Sequence, residues 1–228
     1  MAIAEELVLI AVDPIKRRSL LGSGAADAVV GGAVLVDLVV AERCEVDGPA
    51  KKARVHTTST TPLGSPVHDR ALSRLKVGQR QAASRLVPRL GKGAHAGVLA
   101  GLVAEGELVA TRHKRLGFLT VTRYDVPDPA RRDALVAEVR RVLVGEVEPD
   151  ERTGPLVGLA SAGDLVKHLV PGEQRKAATR RAKVIAKGDW AGTAAAAAVA
   201  AASAAATAAA TAAIVAASAA GDGGGGSA

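Results

Sequence analysis

Aromatic residues are almost absent from this chain of 228 residues: one Phe, one Trp and one Tyr. Nothing else in the sequence restricts the fold as much. Hydrophobic residues still make up 48%, enough to fill a core. That core must be built from Leu, Val, Ile and Ala, whose small side chains favour close helix packing. The length suits one sizeable domain or two small ones. Formal net charge is +7 and the pI about 9.9, a balance that suits an anionic partner without choosing between nucleic acid and membrane. Binding of single strands by base stacking is excluded for want of aromatic rings. Cys44 is alone, so no disulfide framework or cysteine metal site is expected. The first ten residues carry Glu5 and Glu6 in place of a cationic region, which argues against a secretory signal and for a cytoplasmic chain.

Periodicity predicts a mainly α protein, a single helical domain around a central apolar helix, with short β-hairpins. Ile3, Leu7 and Ile10 share one helical stripe, stopped by Asp13-Pro14. Ser23 reads as the N-cap of a nearly uncharged helix over 24–40, whose only acids are Asp27 and Asp37. A helix apolar on most faces is a buried helix. Residues 43–46 and 54–58 read as a strand pair, 68–75 and 79–86 as amphipathic helices with Arg70, Arg74, Arg80 and Arg85 outward. Beyond Pro127 the pattern gives a helix over 130–144, short helices at 156–160 and 164–169, and a basic helix from Pro171 to Lys187. The Ala-rich run that follows is long enough to cross a membrane, but alanine gains little on leaving water and five hydroxyl residues interrupt it. A core-packed first part with a protruding extension is expected. The domain division is then 1–201 for the folded unit and 202–228 for the extension and its Gly-rich tail.

Residues 86–124 carry the strongest functional signal. A Gly-broken basic lead-in, Arg89 to His95, feeds a helix with Val98, Leu99, Leu102 and Val103 on its buried stripe, and Gly106 stands where a C-terminal capping glycine belongs. Two β-branched segments follow, 107–112 and 118–123. The tip between them, 113–117, mixes cations with apolar groups, and exposed apolar groups flanked by cations call for an anionic cover. Lys92 and His95 lie three apart at the mouth of the helix, with Arg89 before them, so free amides and cations together suggest a phosphate site.

Other motifs have ordinary readings. Gly22-Ser23-Gly24 before a helix is a turn and cap, since Asp27 stands where a dinucleotide fingerprint needs its third glycine. Asp164 and His168, and His68 with Asp69, suggest local hydrogen bonds because no third metal ligand is at hand. Glu146, Glu148, Asp150 and Glu151 read as a solvated loop. No Ser, His and acid set declares itself, so no catalytic residue, metal or cofactor is assigned.

The segments EELVLIAVD at 5–13, GGAVLVDLVV at 31–40, and LVAEGELV with its hairpin and Asp-Pro helix at 102–133 resemble the Golgi phosphoprotein 3 family. The likeness extends to about residue 201, and the composition resembles a bacterial member of actinobacterial type. The resemblance implies a mostly helical domain that binds phosphatidylinositol 4-phosphate peripherally, without enzymatic activity. The family's headgroup pocket uses a Trp, an Arg in the core helix and two Arg three residues apart. These positions fall at Gly22, Gly31, Lys92 and His95 here. The family's apolar hairpin tip, used for membrane insertion and oligomer contacts, falls at Leu116 to Leu119. The expected site is therefore Arg89, Lys92 and His95 for a lipid headgroup, with Lys114, Arg115, Leu116, Phe118 and Leu119 for insertion. The expected partner is an anionic membrane surface on the cytoplasmic face, with a homo-oligomer formed through the hairpin and client proteins unassigned. The alternative, a winged-helix DNA-binding protein with the hairpin as wing, meets the objection that 97–105 offers no Arg, Lys, Asn or Gln to base edges.

Overall fold

The computed structural model describes residues 1–115, 119–188 and 194–221. The protein is mainly α with small antiparallel sheets, as the periodicity predicts. Helix α1 (Ile3–Ile10) leads through a two-residue ladder, β1 (Val12–Asp13) and β2 (Arg18–Ser19), into the long helix α2 (Ser23–Val40). From Val29 to Leu38 every side chain of α2 except that of Asp37 is buried. Gly22, not Ser23, is its N-cap, and no side chain caps it. Strands β3 (Cys44–Asp47) and β4 (Arg54–Thr57) pair as expected. Helix α3 (Pro66–Leu72) follows.

The segment 79–86 departs from the helical expectation. Arg80–Ala82 is a third strand, β5, paired with β4, and helix α4 (Ala83–Gly91) starts only after it. Helix α4 runs straight through Pro88, so Arg89 lies on a helix instead of in a lead-in loop. Helix α5 (Ala94–Ala104) opens from Gly93 at φ +74°, a left-handed conformation that suits glycine. Gly106, at φ +78°, ends it as expected. Strands β6 (Val109–Arg115) and β7 (Leu119–Asp125) form a longer arm than the sequence suggests, so His113, Lys114 and Arg115 belong to a strand and not to the tip.

The remaining helices are α6 (Pro129–Val144), capped by the Asp128 carboxylate on the Ala130 amide, α7 (Thr153–Ala162), α8 (Val166–Leu169), α9 (Arg175–Ile185) and α10 (Ala194–Gly221). Helix α10 packs against α2, α4 and α7. Small residues make the approach possible: a Cβ on Gly32 would sit 3.3 Å from the Ala202 methyl. Over the stretch Ala194–Ala212, 61% of the most apolar window is buried in the protein, so this span-length helix is a core helix over its first half. Burial continues through Ser203, Ala205 and Ala206.

Candidate functional site

Helix α2 positions the first part of the site through its two acids. Asp27 turns its carboxylate to the start of α5, accepting from the amides of Gly93 (3.0 Å) and His95 (3.3 Å). Asp37 does the same for α1, accepting from Ile3 (2.8 Å) and Ala4 (3.1 Å). Each carboxylate meets the positive end of a helix, which stabilises its charge in an apolar setting. The helix-start amides expected to hold a phosphate at α5 are therefore already taken by Asp27. Backbone approach is tight here: a Cβ on Gly91 would overlap the Asp27 carbonyl, and one on Gly31 would overlap the Val87 carbonyl. The position matching the family's core-helix arginine thus has no room for a side chain in this packing.

The three predicted headgroup residues do not act alike. His95 is partly buried, and its Nε2 lies 3.2 Å from the Ser19 hydroxyl. Burial holds its pKa below the ordinary imidazole value, only partly offset by Asp27, so the ring is neutral at pH 7. Arg89 donates to the Gln81 side chain (2.7 Å) and to the Arg74 carbonyl. Lys92 is exposed, and its ammonium has no acceptor among the described residues. Arg74 braces this corner by donating to the Arg89 and Lys92 carbonyls.

A further basic feature lies in the turn between β1 and β2. The Asp13 carboxylate accepts from the amides of Ile15 and Lys16, both at 2.9 Å. This turn leaves Ile15 89% exposed, an extreme value for a large aliphatic side chain. The Tyr124 amide donates to the Arg17 carbonyl at 2.9 Å, and the Arg17 guanidinium pairs with Asp125. The turn is thereby fixed against β7. Ile15, Lys16, Arg18, Val121 and Arg123 surround an open cleft of about 440 Å³. In the β6–β7 register His113 faces Val121 and Thr111 faces Arg123, so the arm extends the same surface. Lys114 is exposed on the arm. Leu116 and Phe118 lie outside the described residues; Arg115 and Leu119 are placed as strand backbone only. The run Lys16-Arg17-Arg18 was the available signal for this turn, but nothing local in the sequence places it beside β7.

The other sequence candidates resolve into structural roles. His68 is buried between the Ser65 hydroxyl (2.8 Å, at Nδ1) and the Asp37 carboxylate (2.9 Å, at Nε2), not paired with Asp69. This Ser, His and acid chain is structural: Asp37 caps α1 through both its oxygens, and Ser65, at the N-cap position of α3, gives its hydroxyl to the His68 ring and not to a helix amide. Asp164 pairs with Lys167, not with His168. In the acidic loop, Glu148 reaches Arg181 at 3.0 Å, and Asp150 caps α7 through the Thr153 amide at 2.7 Å. Among the described residues no three His, Cys, Asp or Glu side chains converge as a metal site.

A helical domain with a two-stranded arm set beside a basic, apolar turn is what these observations define. The family model described as Golgi phosphoprotein 3 (GPP34) matches residues 3–202, and the chain belongs to that family. A search among curated proteins found no match.

Proposed function

We propose that this protein is a non-enzymatic, peripheral membrane protein that binds anionic phospholipid on the cytoplasmic face, by the edge formed from the β1–β2 turn and the β6–β7 arm. One observation carries the reading: Ile15 stands exposed among Lys16, Arg18 and Arg123, on a turn fixed to the arm. Exposed aliphatic groups ringed by cations fit an interface that offers hydrocarbon beneath phosphate. Lys16, Arg18 and Arg123 meet headgroup phosphates, with Lys92 and Arg89 as further contacts and His95 as a neutral neighbour. Ile15 and Val121 enter the interface, together with the sequence candidates Leu116, Phe118 and Leu119 and with Lys114 and Arg115.

The magnitudes suit reversible binding. Each cation near an anionic surface contributes about 1 kcal/mol. Burying one aliphatic side chain adds roughly 1.5–3 kcal/mol at most. Two arms in an oligomer hold far better than one, which makes self-association through the arm part of the proposal. The family's preference for phosphatidylinositol 4-phosphate rests here on Lys92 and His95 alone, because Gly22 and Gly31 supply no side chain.

Co-sedimentation with liposomes tests the reading. The full chain is expected to bind acidic vesicles and not neutral ones, and the triple variant Ile15→Ser, Lys16→Gln, Arg18→Gln to lose about tenfold or more in affinity. A gain from added phosphatidylinositol 4-phosphate that Lys92→Gln removes establishes headgroup recognition. Equal sedimentation of the triple variant refutes the edge. Binding to duplex DNA with a steep salt dependence, and none to vesicles, replaces the proposal with the winged-helix reading.

A further inference from the structure

A second cationic site lies away from the arm, where α10 crosses the ends of α7 and α9. A cavity of about 690 Å³ opens there, within the usual range for small-ligand sites. Lys51 reaches it from the turn before β4, and Lys183 and Lys187 from the end of α9. None of the three ammonium groups has a carboxylate or other acceptor among the described residues, and no acidic residue lines the cavity. The remaining polar lining includes Ser84, Ser161 and Ser203; most of the rest is alanine.

Two features of this cavity point to an anionic occupant. Three exposed lysines without an acceptor among the described residues gather around one space, a local excess of positive charge. The Ser203 side chain, only 4% exposed, has a hydroxyl with no hydrogen-bond partner among the described residues. A buried hydroxyl without a partner is rare in native proteins and points to a missing one. Ser84, in the first turn of α4, adds an exposed hydroxyl to the lining, while the Ala83 amide beside it is taken by the Ala53 carbonyl at 2.9 Å. Three cations with serine hydroxyls are together groups that bind the oxygens of a phosphate. Alanine walls leave space for a compact apolar body attached to it.

We infer that this cavity is a binding site for a phosphomonoester, with Lys51, Lys183 and Lys187 neutralising the dianion and Ser84 and Ser203 hydrogen-bonding its oxygens. The same chemistry is offered by a soluble phosphorylated metabolite and by the headgroup of phosphatidic acid. The site is independent of the membrane edge proposed above, since it uses none of the same residues.

Thermal unfolding of the full chain in sodium phosphate and in glycerol 3-phosphate, against sodium chloride of equal ionic strength, is the direct test. The proposal expects a midpoint that rises with phosphate concentration and not with chloride. Lysines 183 and 187 are exposed, so Lys183→Gln with Lys187→Gln leaves the fold intact, verified by circular dichroism. This double variant is expected to weaken apparent affinity by about a hundredfold, and Lys51→Gln by about tenfold. Ser203→Ala is expected to weaken phosphate binding several-fold without lowering the midpoint in chloride, whereas an unchanged phosphate response in this variant removes Ser203 from the site. Vesicles containing phosphatidic acid form the second arm. Loss of vesicle binding in the double variant, with Ile15→Ser, Lys16→Gln, Arg18→Gln as the membrane-edge control, assigns the lipid as source. A response to soluble esters alone assigns the metabolite. A phosphate response unchanged in the double variant, or no response above chloride in either arm, overturns the site.

Discussion

His68 and His95 stand near the first turns of α3 and α5, and each has a carboxylate from α2 close by. Their fates are opposite. Asp37 reaches the His68 ring itself, 2.9 Å from Nε2, while also accepting from the α1 amides. Asp27 spends both oxygens on the α5 amides, and the His95 ring finds only the Ser19 hydroxyl. Burial works against the charged form of both rings. At His68 the Asp37 hydrogen bond and charge, with Glu5 and Asp69 assisting, outweigh it and raise the pKa. At His95 burial prevails and lowers it. Both carboxylates give an oxygen to each of two amides, so what differs is whether the carboxylate also reaches the ring, as Asp37 does and Asp27 does not. One end of α2 carries a bolt in which the carboxylate holds the imidazole directly, and the other, next to the edge proposed to meet the membrane, lacks that bond.

Breaking the charged bolt should have the largest effect. Asp37→Asn removes the charge and one of the two acceptor oxygens of a side chain that is 10% exposed and serves two amides and one imidazole. The expected loss is about 3–4 kcal/mol, because the amide NH2 then faces a buried donor and the imidazole loses its anionic partner. Urea denaturation with an unchanged m-value measures it. Asp27→Asn should cost less, about 1–2 kcal/mol, the range of a lost helix cap. An Asp27 variant as damaging as the Asp37 one would mean that the imidazole adds nothing and the two ends of α2 are equivalent.

The sequence made some of this legible. The apolar run of α2 identified the central helix, and the Ala-rich composition of α10 its core-packed first part, because burial is written in periodicity and composition. Asp27 and Asp37 were visible only as blemishes on an apolar helix. Their partners lie 68 and 31 positions away at His95 and His68, beyond any local pattern. Strand β5 was hidden for a similar reason. Gln81 and its neighbours suit an amphipathic helix, and only pairing with β4 makes them a strand. Residues 83–91 form one helix that runs through Pro88, where the sequence pattern ends a helix at 86. The site was half legible. Lys92 and His95 sit together at the start of α5 as their spacing implied, whereas the basic turn at Lys16 joins the arm through Tyr124 and Asp125, more than a hundred residues on.

The smallest effect is the most discriminating, because it reads charge and not packing. His68 has a folded pKa above its unfolded value of about 6.5, so the stability it contributes is fully present below that pH. It is lost as pH rises through the folded value. His95 has a folded pKa below the unfolded one, so its contribution is present above about pH 6.5 and lost as pH falls through the folded value. The two slopes have opposite sign and lie on opposite sides of about pH 6.5. His68→Gln should leave the His95 slope, with stability rising as pH increases toward about 6.5 and level above it. His95→Gln should leave the His68 slope, with stability level below about pH 6.5 and falling above it. Urea midpoints measured at half-unit steps distinguish the two. Parallel curves for both variants would show that the rings carry the same charge and that the comparison between the ends of α2 fails. Opposite curves would confirm that His95 is uncharged at pH 7, leaving Lys92 as the cation at the mouth of α5 that a phosphate meets.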